Sequence, residues 1–398
     1  MLYTIFLILG LLAVFGSILL ISLFLYVFIK NKTEKQPRIN LKVSIIVPCK
    51  GIEKNLEKNL KGICEQNYPD YQVIFVLDSK KDPAYPLVNK IAKSTNNAII
   101  EISQKINESS GKISALISGI KKTGNVDVYV FADSDIRPHK KWLTSLVAYL
   151  SEDNVGATTG FRWFFPSDLK SSLISTWNMA SMASLFHPIS NCAWGGSTAI
   201  KKTLFEKLKI ESKWRTGFSD DMILTEAVKK AGYIIKLVPR CIVESPAETD
   251  IKKFLKWGTQ QFTWVRWYNP FIWFFSFCGM LLLQVLIILG FILIITGFTI
   301  PGILMISTIF FEMIYGLTGF LVLRRLMCYP REKFGMITPY IFLMPIVWIL
   351  FAYNLFLSGV KQEIEWGGKY YRKTDALKKC NSNQKSVFIR SSNSNHKT

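Results

Sequence analysis

Five aspartates lie in three short segments where carboxylates could do chemistry. Asp78 lies in VLDSKKDP, Asp133 and Asp135 lie in FADSDIRP, and Asp220 and Asp221 lie in GFSDDMILTEAVKKAGY. A carboxylate at a strand end can hydrogen-bond a base or a ribose. Two carboxylates one residue apart can hold one Mg²⁺ or Mn²⁺ against a diphosphate, because Mg²⁺ usually takes one or two carboxylates and leaves its other positions to phosphate and water. Asp133 and Asp135 are therefore a candidate metal site.

Each of these aspartates also has a structural interpretation. Asp at a strand end or at a helix N-terminus often serves only the turn or the cap. Taken alone, the DSD segment is one of many DxD triplets found on protein surfaces. The joint placement of three acidic segments, together with apolar runs of membrane length, favours the functional interpretation.

The segment between residues 40 and 270 must position these carboxylates. Short runs rich in β-branched and aromatic residues predict strands at 41–48, 72–77, 98–102 and 127–132, with helical patterns at 53–66 and 110–122. Alternating strands and helices predict βαβ units and a Rossmann-like, mostly parallel α/β sheet covered on both faces. Ligands bind such sheets at the carboxyl ends of the strands. The chemistry should therefore lie just after Leu77 and just after Ala132.

Long apolar runs flank this segment on both sides. The chain has 398 residues, 49% of them hydrophobic, and runs of apolar residues at 2–29, 271–298, 303–323 and 337–358. A helix of about 20 apolar residues can cross the hydrocarbon of a bilayer. We expect an N-terminal anchor at 1–30, a catalytic domain at 40–270, transmembrane or interfacial helices at 271–358, and a basic, partly disordered tail at 361–398. This organisation predicts an integral, multi-pass membrane protein.

Basic residues beside the apolar runs predict the orientation in the membrane. A basic cluster from Lys30 to Arg38 follows the first run, which is longer than the apolar core of a signal peptide. The positive-inside rule then places the catalytic domain in the cytosol. The run at 337–358 leaves two alternatives. Either Pro339 and Pro345 break it into a re-entrant or interfacial segment, or the basic tail is translocated.

The net charge and the cysteines argue against other kinds of site. The charge is +21, but no basic stripe carries a nucleic-acid recognition motif, so an anionic cytosolic leaflet is the simplest partner for it. The cysteines form no CxxC pair and have no histidine at metal spacing. This argues against a zinc site and a disulfide framework. We expect reduced thiols and no nucleic-acid partner.

Several segments occur in an order that resembles a known family. They are VSIIVPCKG, EQNYPDYQVIFVLDSKKDPA, FADSDIRP, WGGSTAI, SDDMILTEAVKKAGY and WVRW. Together they resemble the family-2 glycosyltransferases of the GT-A fold. DSKKDPA, GKISAL and the late IEWGGKYYRK resemble the ceramide glucosyltransferase branch of that family. The resemblance covers residues 43–373 and implies transfer of a sugar from a nucleotide-sugar donor with Mg²⁺ or Mn²⁺ as cofactor.

The resemblance implies a role for residues on the donor side. Pro48 and Gly51 lie in the first donor-binding loop, where the backbone passes the uridine. Asp78 contacts the nucleoside, and Lys112 lies near the donor phosphates. These positions predict a UDP-sugar donor.

The resemblance also implies roles for the remaining aspartates. Asp133 and Asp135 bind the metal and the donor. Asp221 is the general base that deprotonates the acceptor hydroxyl, with Asp220 beside it. Because like charges disfavour a second ionisation, we expect Asp221 to have a raised pKa. A single carboxylate base with in-line attack predicts inversion at the anomeric carbon.

The sequence departs from the family pattern at the Q-x-x-R-W element. Arg266 and Trp267 match it, but Thr263 occupies the position where Gln or Arg is expected. Gln260 and Gln261 stand slightly upstream, so either could substitute, or the element works without this residue. The same segment could be an aromatic interfacial belt, because Trp and Tyr favour the headgroup level.

The acceptor side is less defined. Trp194, Gly195 and Gly196 precede the acceptor region, within a stretch at 161–199 that is either ordinary core or a surface lying on the bilayer. We expect a lipid hydroxyl as acceptor, with ceramide and diacylglycerol as candidates.

Two alternatives to a non-processive lipid glycosyltransferase remain. A processive polysaccharide synthase of the same fold needs enough spans for a secretion channel, and three or four helices are few for that. A catalytically inactive membrane scaffold would have no need of intact aspartates at all three segments.

Overall fold

The computed structural model describes residues 1–33, 40–245, 250–366 and 369–372. The strands in these ranges are β1 Val43–Cys49, β2 Tyr71–Leu77, β3 Ala98–Ile102, β4 Val128–Ala132, β5 Val155–Trp163, β6 Ser197–Lys201, β7 Ile234–Glu244, β8 Glu363–Trp366 and β9 Lys369–Arg372. The helices are α1 Leu2–Thr33, α2 Leu56–Cys64, α3 Tyr85–Ser94, α4 Gly111–Ile120, α5 Trp142–Ala148, α6 Leu169–Ala183, α7 Lys202–Lys207, α8 Ile210–Trp214, α9 Asp220–Lys230, α10 Ile251–Tyr268, α11 Pro270–Ile295, α12 Thr299–Leu326, α13 Thr338–Phe342 and α14 Met344–Val360.

Strands β1 to β7 form one mixed sheet in the order β3-β2-β1-β4-β6-β5-β7. β1 pairs in parallel with β2 and β4, β2 with β3, and β5 with β7, whereas β6 is antiparallel to both of its neighbours. β1 to β5 and β7 therefore point the same way, and their carboxyl ends meet at one edge. The predicted α/β fold with a mostly parallel sheet is confirmed.

The predicted strands correspond to β1–β4; β3 starts at the predicted residue, and the other three starts differ by one or two residues. The strand predicted at 41–48 begins only at Val43, because its first two amides are bonded outside the ladder. Leu41 donates to the Tyr68 hydroxyl at 3.1 Å, and Lys42 donates to the Asp127 carboxylate at 2.8 Å. The apolar pattern is therefore a little longer than the strand.

Alternate side chains of β1 enter two different core layers, as the period of a strand requires. Ile45 and Val47 pack with α2, α3 and α5, where Leu60 is fully buried. Ile46 packs on the opposite face, with Leu116 of α4. Because both faces are covered, β1 and β4 are apolar apart from Ser44, as is typical of parallel sheets.

Side-chain caps begin two of the helices near the carboxyl edge. The Ser110 hydroxyl accepts from the Ile113 amide at 3.2 Å and starts α4, whose second residue is Lys112. Asp168 and Ser171 form a capping box at the start of α6. Such caps satisfy amides that have no partner within the helix.

The stretch at 161–199 contributes mainly to the core. Its helix α6 buries Ile174, Trp177 and Met179, which pack with residues of α12, α13 and α14. Of the two interpretations of this stretch, the structure supports ordinary core for α6. The helix thus connects the α/β domain to the apolar helices.

Three helices are long and apolar enough to span a membrane: Leu2–Lys30, Pro270–Ile295 and Thr299–Leu326. The apolar run at 337–358 is broken, because the segments Arg331–Phe342 and Met344–Val360 meet at an angle of 79°. Pro339 and Pro345 occupy the first turns of α13 and α14. Proline is tolerated there but cannot continue a preceding helix, so the break predicted from these prolines is present. The candidate spans indicate a membrane-associated protein.

Part of the segment predicted as a tail is ordered. β8 and β9 pair antiparallel, with Glu363 opposite Arg372 and Ile364 opposite Tyr371. Lys35 and Arg38 of the basic cluster lie outside the described residues, as does the Ser- and Asn-rich end whose disorder was expected. The hairpin follows directly from the carboxyl end of α14.

The packing of α13 on α12 depends on Gly316. A Cβ atom there would lie 2.0 Å from the Tyr340 carbonyl oxygen, whereas a Cβ at Gly279 in α11 would meet nothing within 4 Å. We expect Gly316→Ala to destabilise the protein by about 1–3 kcal/mol through overpacking. Thermal unfolding in detergent should show a lower melting temperature for Gly316→Ala and no decrease for Gly279→Ala. Equal melting temperatures for the two variants would contradict this packing.

Candidate active site

A cavity of about 730 Å³ opens at the carboxyl edge of the sheet. Because the parallel strands end at this edge, it gathers residues that are far apart in the sequence. The predicted site residues that line the cavity are Pro48, Asp78, Lys112, Asp133 and Asp135. Both of the strand ends predicted to carry the chemistry, after β2 and after β4, are present in its wall.

The same cavity continues to a group of aromatic side chains. Phe164 follows β5, Phe254 and Trp257 lie on α10, and Tyr371 lies on β9. α10 leads through Pro270 into the candidate span α11. The cavity therefore joins the strand-end carboxylates to aromatic residues beside the apolar helices.

Lys112 is the central cation of the carboxylate cluster. Its Nζ lies 2.8 Å from Asp133 Oδ1 and 3.3 Å from Asp220 Oδ2. Burial lowers the pKa of Lys112, but the carboxylates of Asp133, Asp220 and Asp221 outweigh burial and raise that pKa above its ordinary value. Lys112 therefore stays charged and links the end of β4 to the start of α9.

Arg162 is a second cation that the sequence analysis missed. Its guanidinium lies 3.5 Å from Asp133 Oδ2 and 3.3 Å from Asp135 Oδ2. It also stacks over the Trp194 ring at 4.9 Å from the ring centroid. Burial raises the pKa of Asp133, but Lys112 and Arg162 outweigh burial, so the pKa of Asp133 is lowered. The only feature of the sequence that could have indicated Arg162 is its position near the end of β5, a strand that was not predicted.

Asp135 retains capacity to bind a cation. Its Oδ1 is buried and has no hydrogen-bond partner among the residues that the structure describes. Burial raises the pKa of Asp135 despite the attraction of Arg162. Within the described ranges, no three His, Cys, Asp or Glu side chains are grouped to hold a metal ion by themselves. This fits a Mg²⁺-type ion that takes one or two carboxylates and completes its shell with phosphate and water.

The adjacent residues Asp220 and Asp221 have different surroundings. Asp220 is buried, and burial together with the charges of Asp221 and Asp133 outweighs Lys112 and raises the pKa of Asp220 to about 6. Asp221 is half-buried at the start of α9, where its Oδ1 accepts from the Met222 amide at 2.7 Å and from the Ser219 hydroxyl. The raised pKa of Asp220 follows from its burial, because Asp220 is the member of the pair that is removed from water.

Gly195 and Gly196 let the backbone approach the carboxylates. A Cβ at Gly195 would lie 2.3 Å from Asp220 Oδ2 and 2.9 Å from Lys112 Nζ. A Cβ at Gly196 would lie 2.3 Å from the Trp194 ring and 2.8 Å from Asp133 Oδ2. A side chain at either position would displace the charged cluster, which explains two consecutive glycines before β6.

Gly51 shapes the loop after β1. Its φ is 67°, a left-handed conformation that glycine adopts without steric cost. The Gly51 amide donates to Asp82 Oδ1 at 2.9 Å, and the same oxygen accepts from the Ala84 amide at 2.8 Å. Lys50 lies 3.5 Å from Asp78 Oδ2. Asp82, the second aspartate of DSKKDPA, thus connects the loop after β2 to the loop after β1 by hydrogen bonds.

Among the described residues that line the cavity, none belongs to the Q-x-x-R-W element or to the two glutamines before it. Arg266 is buried and donates to the carbonyl oxygens of Gly359 and Lys361. Gln260 donates to the Glu365 carbonyl oxygen at 2.9 Å. Gln261 is half-buried, and Trp267 packs in a small cluster with Ile364 and Tyr371. The residues of α10 that do reach the cavity are Phe254 and Trp257, which the sequence analysis did not single out.

Glu53 is a further acidic residue at the cavity that was missed. The Ser134 hydroxyl donates to its carboxylate at 3.4 Å. Its side chain is accessible, but the concave wall removes much of its water. This desolvation, with Asp135 and Asp133 nearby, raises the pKa of Glu53 to about 7. Its place three residues before α2 gave no signal, because a Glu there resembles an ordinary helix start.

With this geometry in view, comparison with known proteins identifies the family. A model of Glycosyl transferase family 21 matches residues 11–376. The chain belongs to this family. The predicted resemblance to glycosyltransferases is confirmed at this level, and the ceramide glucosyltransferase branch within family 21 stays a prediction.

Individual relatives are more distant. Glycosyltransferase AglE of Haloferax volcanii is 28% identical over 120 residues, which are 30% of this chain and 38% of AglE. The chain therefore matches well under half the length of that relative. The mannosyltransferase PcManGT from Pyrobaculum calidifontis, solved with GDP-Man and Mn²⁺, is 15% identical with a TM-score of 0.47, over 89% of this chain and 98% of that one. GalNAc-T7, solved with UDP, GalNAc and Mn²⁺, is 14% identical with a TM-score of 0.39, over 52% of this chain and 43% of that one.

The raised pKa of Asp220 predicts that the free energy of unfolding of this family 21 protein depends on pH. Its pKa rises from an ordinary 3.8 to about 6 on folding, so between these values the folded state holds a proton that the unfolded chain has released. The contribution of Asp220 to stability therefore decreases as the pH rises through this window. We expect the wild-type melting temperature to fall more than that of Asp220→Asn between about pH 4 and about pH 7.

The control for this experiment is Asp153→Asn, at an exposed aspartate far along the chain from the cluster. It should follow the wild-type pH dependence. A parallel decrease in the wild type and in Asp220→Asn would contradict the raised pKa of Asp220.

Proposed function

We propose that this family 21 protein is an inverting, non-processive glycosyltransferase that moves a hexose from a UDP-sugar to a hydroxyl of a membrane lipid. Glucose is the favoured sugar, and ceramide and diacylglycerol are the candidate acceptors. The observation that carries the proposal is the single cavity, which is charged at the strand ends and aromatic at α10, the helix that leads into a candidate span. A donor with a diphosphate and an acceptor with an apolar body need these two environments side by side.

The proposed donor lies along the charged part of the cavity. Asp78, with the loop of Pro48 and Gly51, would contact the nucleoside, and Lys112 would face the diphosphate. Asp133 and Asp135 would hold Mg²⁺ or Mn²⁺, which when bound supplies positive charge to the departing diphosphate. The free oxygen of Asp135 supports this assignment.

Asp221 is the proposed general base. It takes the proton from the acceptor hydroxyl while that oxygen forms a bond to the anomeric carbon. The bond between the anomeric carbon and the diphosphate oxygen breaks, and UDP leaves with the electron pair. One displacement from the opposite face inverts the anomeric centre. Asp220, held by Lys112, is occupied by its ion pair, which favours Asp221 for this role.

The membrane arrangement is part of the proposal. We place the catalytic domain, 40–270, in the cytosol, between the anchor at 1–30 and the helices at 271–358. The described residues contain three helices that could span a membrane, or four if the bent pair is one span. This small number does not favour a processive synthase with a secretion channel. The aspartates that pair with Lys112 and Arg162 at the cavity do not favour an inactive scaffold.

The direct test measures transfer of radiolabel from UDP-glucose and UDP-galactose to total membrane lipids by the purified protein, with and without Mn²⁺ or Mg²⁺. We expect a labelled glycolipid of one discrete size, and its hydrolysis would identify the acceptor. A labelled polymer would instead support the synthase. Absence of both transfer and UDP-sugar binding would support the catalytically inactive scaffold.

Asp221→Asn tests the base. We expect transfer to fall about 100-fold or more, which is the contribution of a positioned base, while UDP binding measured by calorimetry stays unchanged. Asp168→Asn is the matched control, because Asp168 also begins a helix and Asn is an equally good cap. Turnover of Asp221→Asn near the wild-type rate would remove Asp221 as the base.

Asp135→Ala tests the metal site without requiring turnover. Removing a carboxylate ligand should weaken binding of Mn²⁺ in the presence of UDP about tenfold or more, measured by electron paramagnetic resonance of free Mn²⁺. Asp70→Asn, at an exposed aspartate before β2, should bind Mn²⁺ as the wild type does. Equal affinity in Asp135→Ala and the wild type would contradict the metal assignment.

A further inference from the structure

The β8–β9 hairpin contributes Tyr371 to the wall of the cavity. Ile364 and Tyr371 are cross-strand partners, so their side chains lie on the same face of the hairpin. This face packs on α10, where Ile364 and Tyr371 form a buried cluster with Trp267. Tyr371 is 7% exposed, and it reaches the cavity from this cluster. This part of the wall thus comes from a residue more than 100 positions after Asp220 and Asp221 in the chain.

Tyr371 connects two parts of the site. Its ring centroid lies 5.0 Å from that of Phe218, which is two residues before Asp220. On the other side it lies 6.2 Å from the Trp264 ring of α10. Tyr371 therefore contacts both the loop before Asp220 and α10, and it lines the same cavity as Trp257 and Phe254.

Buried hydrogen bonds fix the hairpin in this place. Gln260 on α10 donates to the Glu365 carbonyl oxygen, which lies on β8. Arg266 donates to the carbonyl oxygens of Gly359 and Lys361, at the carboxyl end of α14 where the chain turns into the hairpin. Carbonyls at a helix end have no partner within the helix, and a buried guanidinium satisfies them. Removing such a donor leaves buried acceptors unpaired, which is costly.

These contacts give the R-W element a different role from the one expected at the sequence level. The guanidinium of Arg266 is directed to backbone carbonyls, and the amide of Gln260 to the hairpin. The side chain that these bonds bring to the cavity is Tyr371. An aromatic ring with a polar tip suits an acceptor that combines an apolar body with a hydroxyl group.

We propose that Tyr371 contacts the lipid acceptor, and that Gln260 and Arg266 are positioning residues that hold the β8–β9 hairpin so that Tyr371 forms the acceptor wall. This inference rests on the proposed function. It assigns acceptor recognition to a hairpin at the end of the described chain and not to the Q-x-x-R-W side chains themselves.

The kinetic experiment separates acceptor binding from donor binding. Tyr371→Ala should raise the KM for the lipid acceptor about tenfold, equal to about 1.4 kcal/mol, with the Kd for UDP unchanged. Tyr371→Phe keeps the ring against Phe218 and Trp264 but removes the hydroxyl, so its acceptor KM should lie between those of the wild type and Tyr371→Ala. Equal effects of Tyr371→Ala on acceptor KM and on UDP affinity would overturn the acceptor role.

A double-mutant cycle tests the positioning role. If Gln260 acts only through the hairpin, Gln260→Ala should raise the acceptor KM, and it should have little further effect in the Tyr371→Ala background. Additive effects of the two substitutions would show that Gln260 contacts the acceptor itself and would overturn the proposal. Lys253→Ala, at an exposed residue of the same helix, is the matched control and should leave the KM unchanged. Arg266→Lys, which keeps the charge but has one donor nitrogen in place of two, should give a smaller effect of the same kind as Gln260→Ala.

Hydrogen–deuterium exchange tests the hairpin independently of turnover. Gln260→Ala should accelerate exchange of the amides between Glu363 and Arg372, while exchange in β1 to β4 stays unchanged. Unchanged exchange in the hairpin would overturn the positioning role even if the protein is active. Conversely, faster exchange without any glycolipid formation by the wild type would retain the positioning role and reject the proposed function.

Discussion

The structure depends on compensation of buried negative charge at one edge of the sheet. Asp220 is buried and Asp133 is half-buried, and an ionised carboxylate without a partner is costly in such surroundings. Lys112 lies between these two residues, and Arg162 bridges Asp133 and Asp135. The two cations face more carboxylates than they can neutralise. The cluster therefore keeps an excess of negative charge and one free carboxylate oxygen, and both favour a bound cation.

This constraint accounts for the topology around the site. Four separate segments must meet, and the parallel strands bring the ends of β1, β2 and β4 to the same edge. The antiparallel strand β6 starts at this edge, which lets Gly195 and Gly196 pass against the carboxylates before the strand begins. Arg162 lies near the end of β5, on the other side of β6 from β4, and it pairs with Asp133 and Asp135. A sheet with every strand parallel would not place the glycine pair here.

Much of this arrangement could be predicted from sequence, and the exceptions have a common cause. The apolar runs of β1 to β4 and the aspartates after them are local patterns, and the structure brings them together as expected. Arg162, Glu53 and Tyr371 act through partners that are distant in the chain, so no local pattern identifies them. The same holds for the raised pKa of Asp220, because adjacent aspartates look alike until one of them is buried. Arg266 matched a local motif, but its partners lie at the end of α14, about 95 positions away.

Arg162 lies at the boundary between the two environments that the proposed function requires. Its guanidinium pairs with Asp133 and Asp135 on one side, and it stacks over Trp194 and, at 5.9 Å, lies near the ring of Trp257 on the other. The cavity changes from charged to aromatic at this residue. A guanidinium suits such a boundary, because it forms directional bonds to carboxylates at its edge and stacks on rings with its face. In the proposed function, a diphosphate donor at the charged end and a lipid hydroxyl at the aromatic end would meet near this boundary, which would place the reacting carbon close to Arg162.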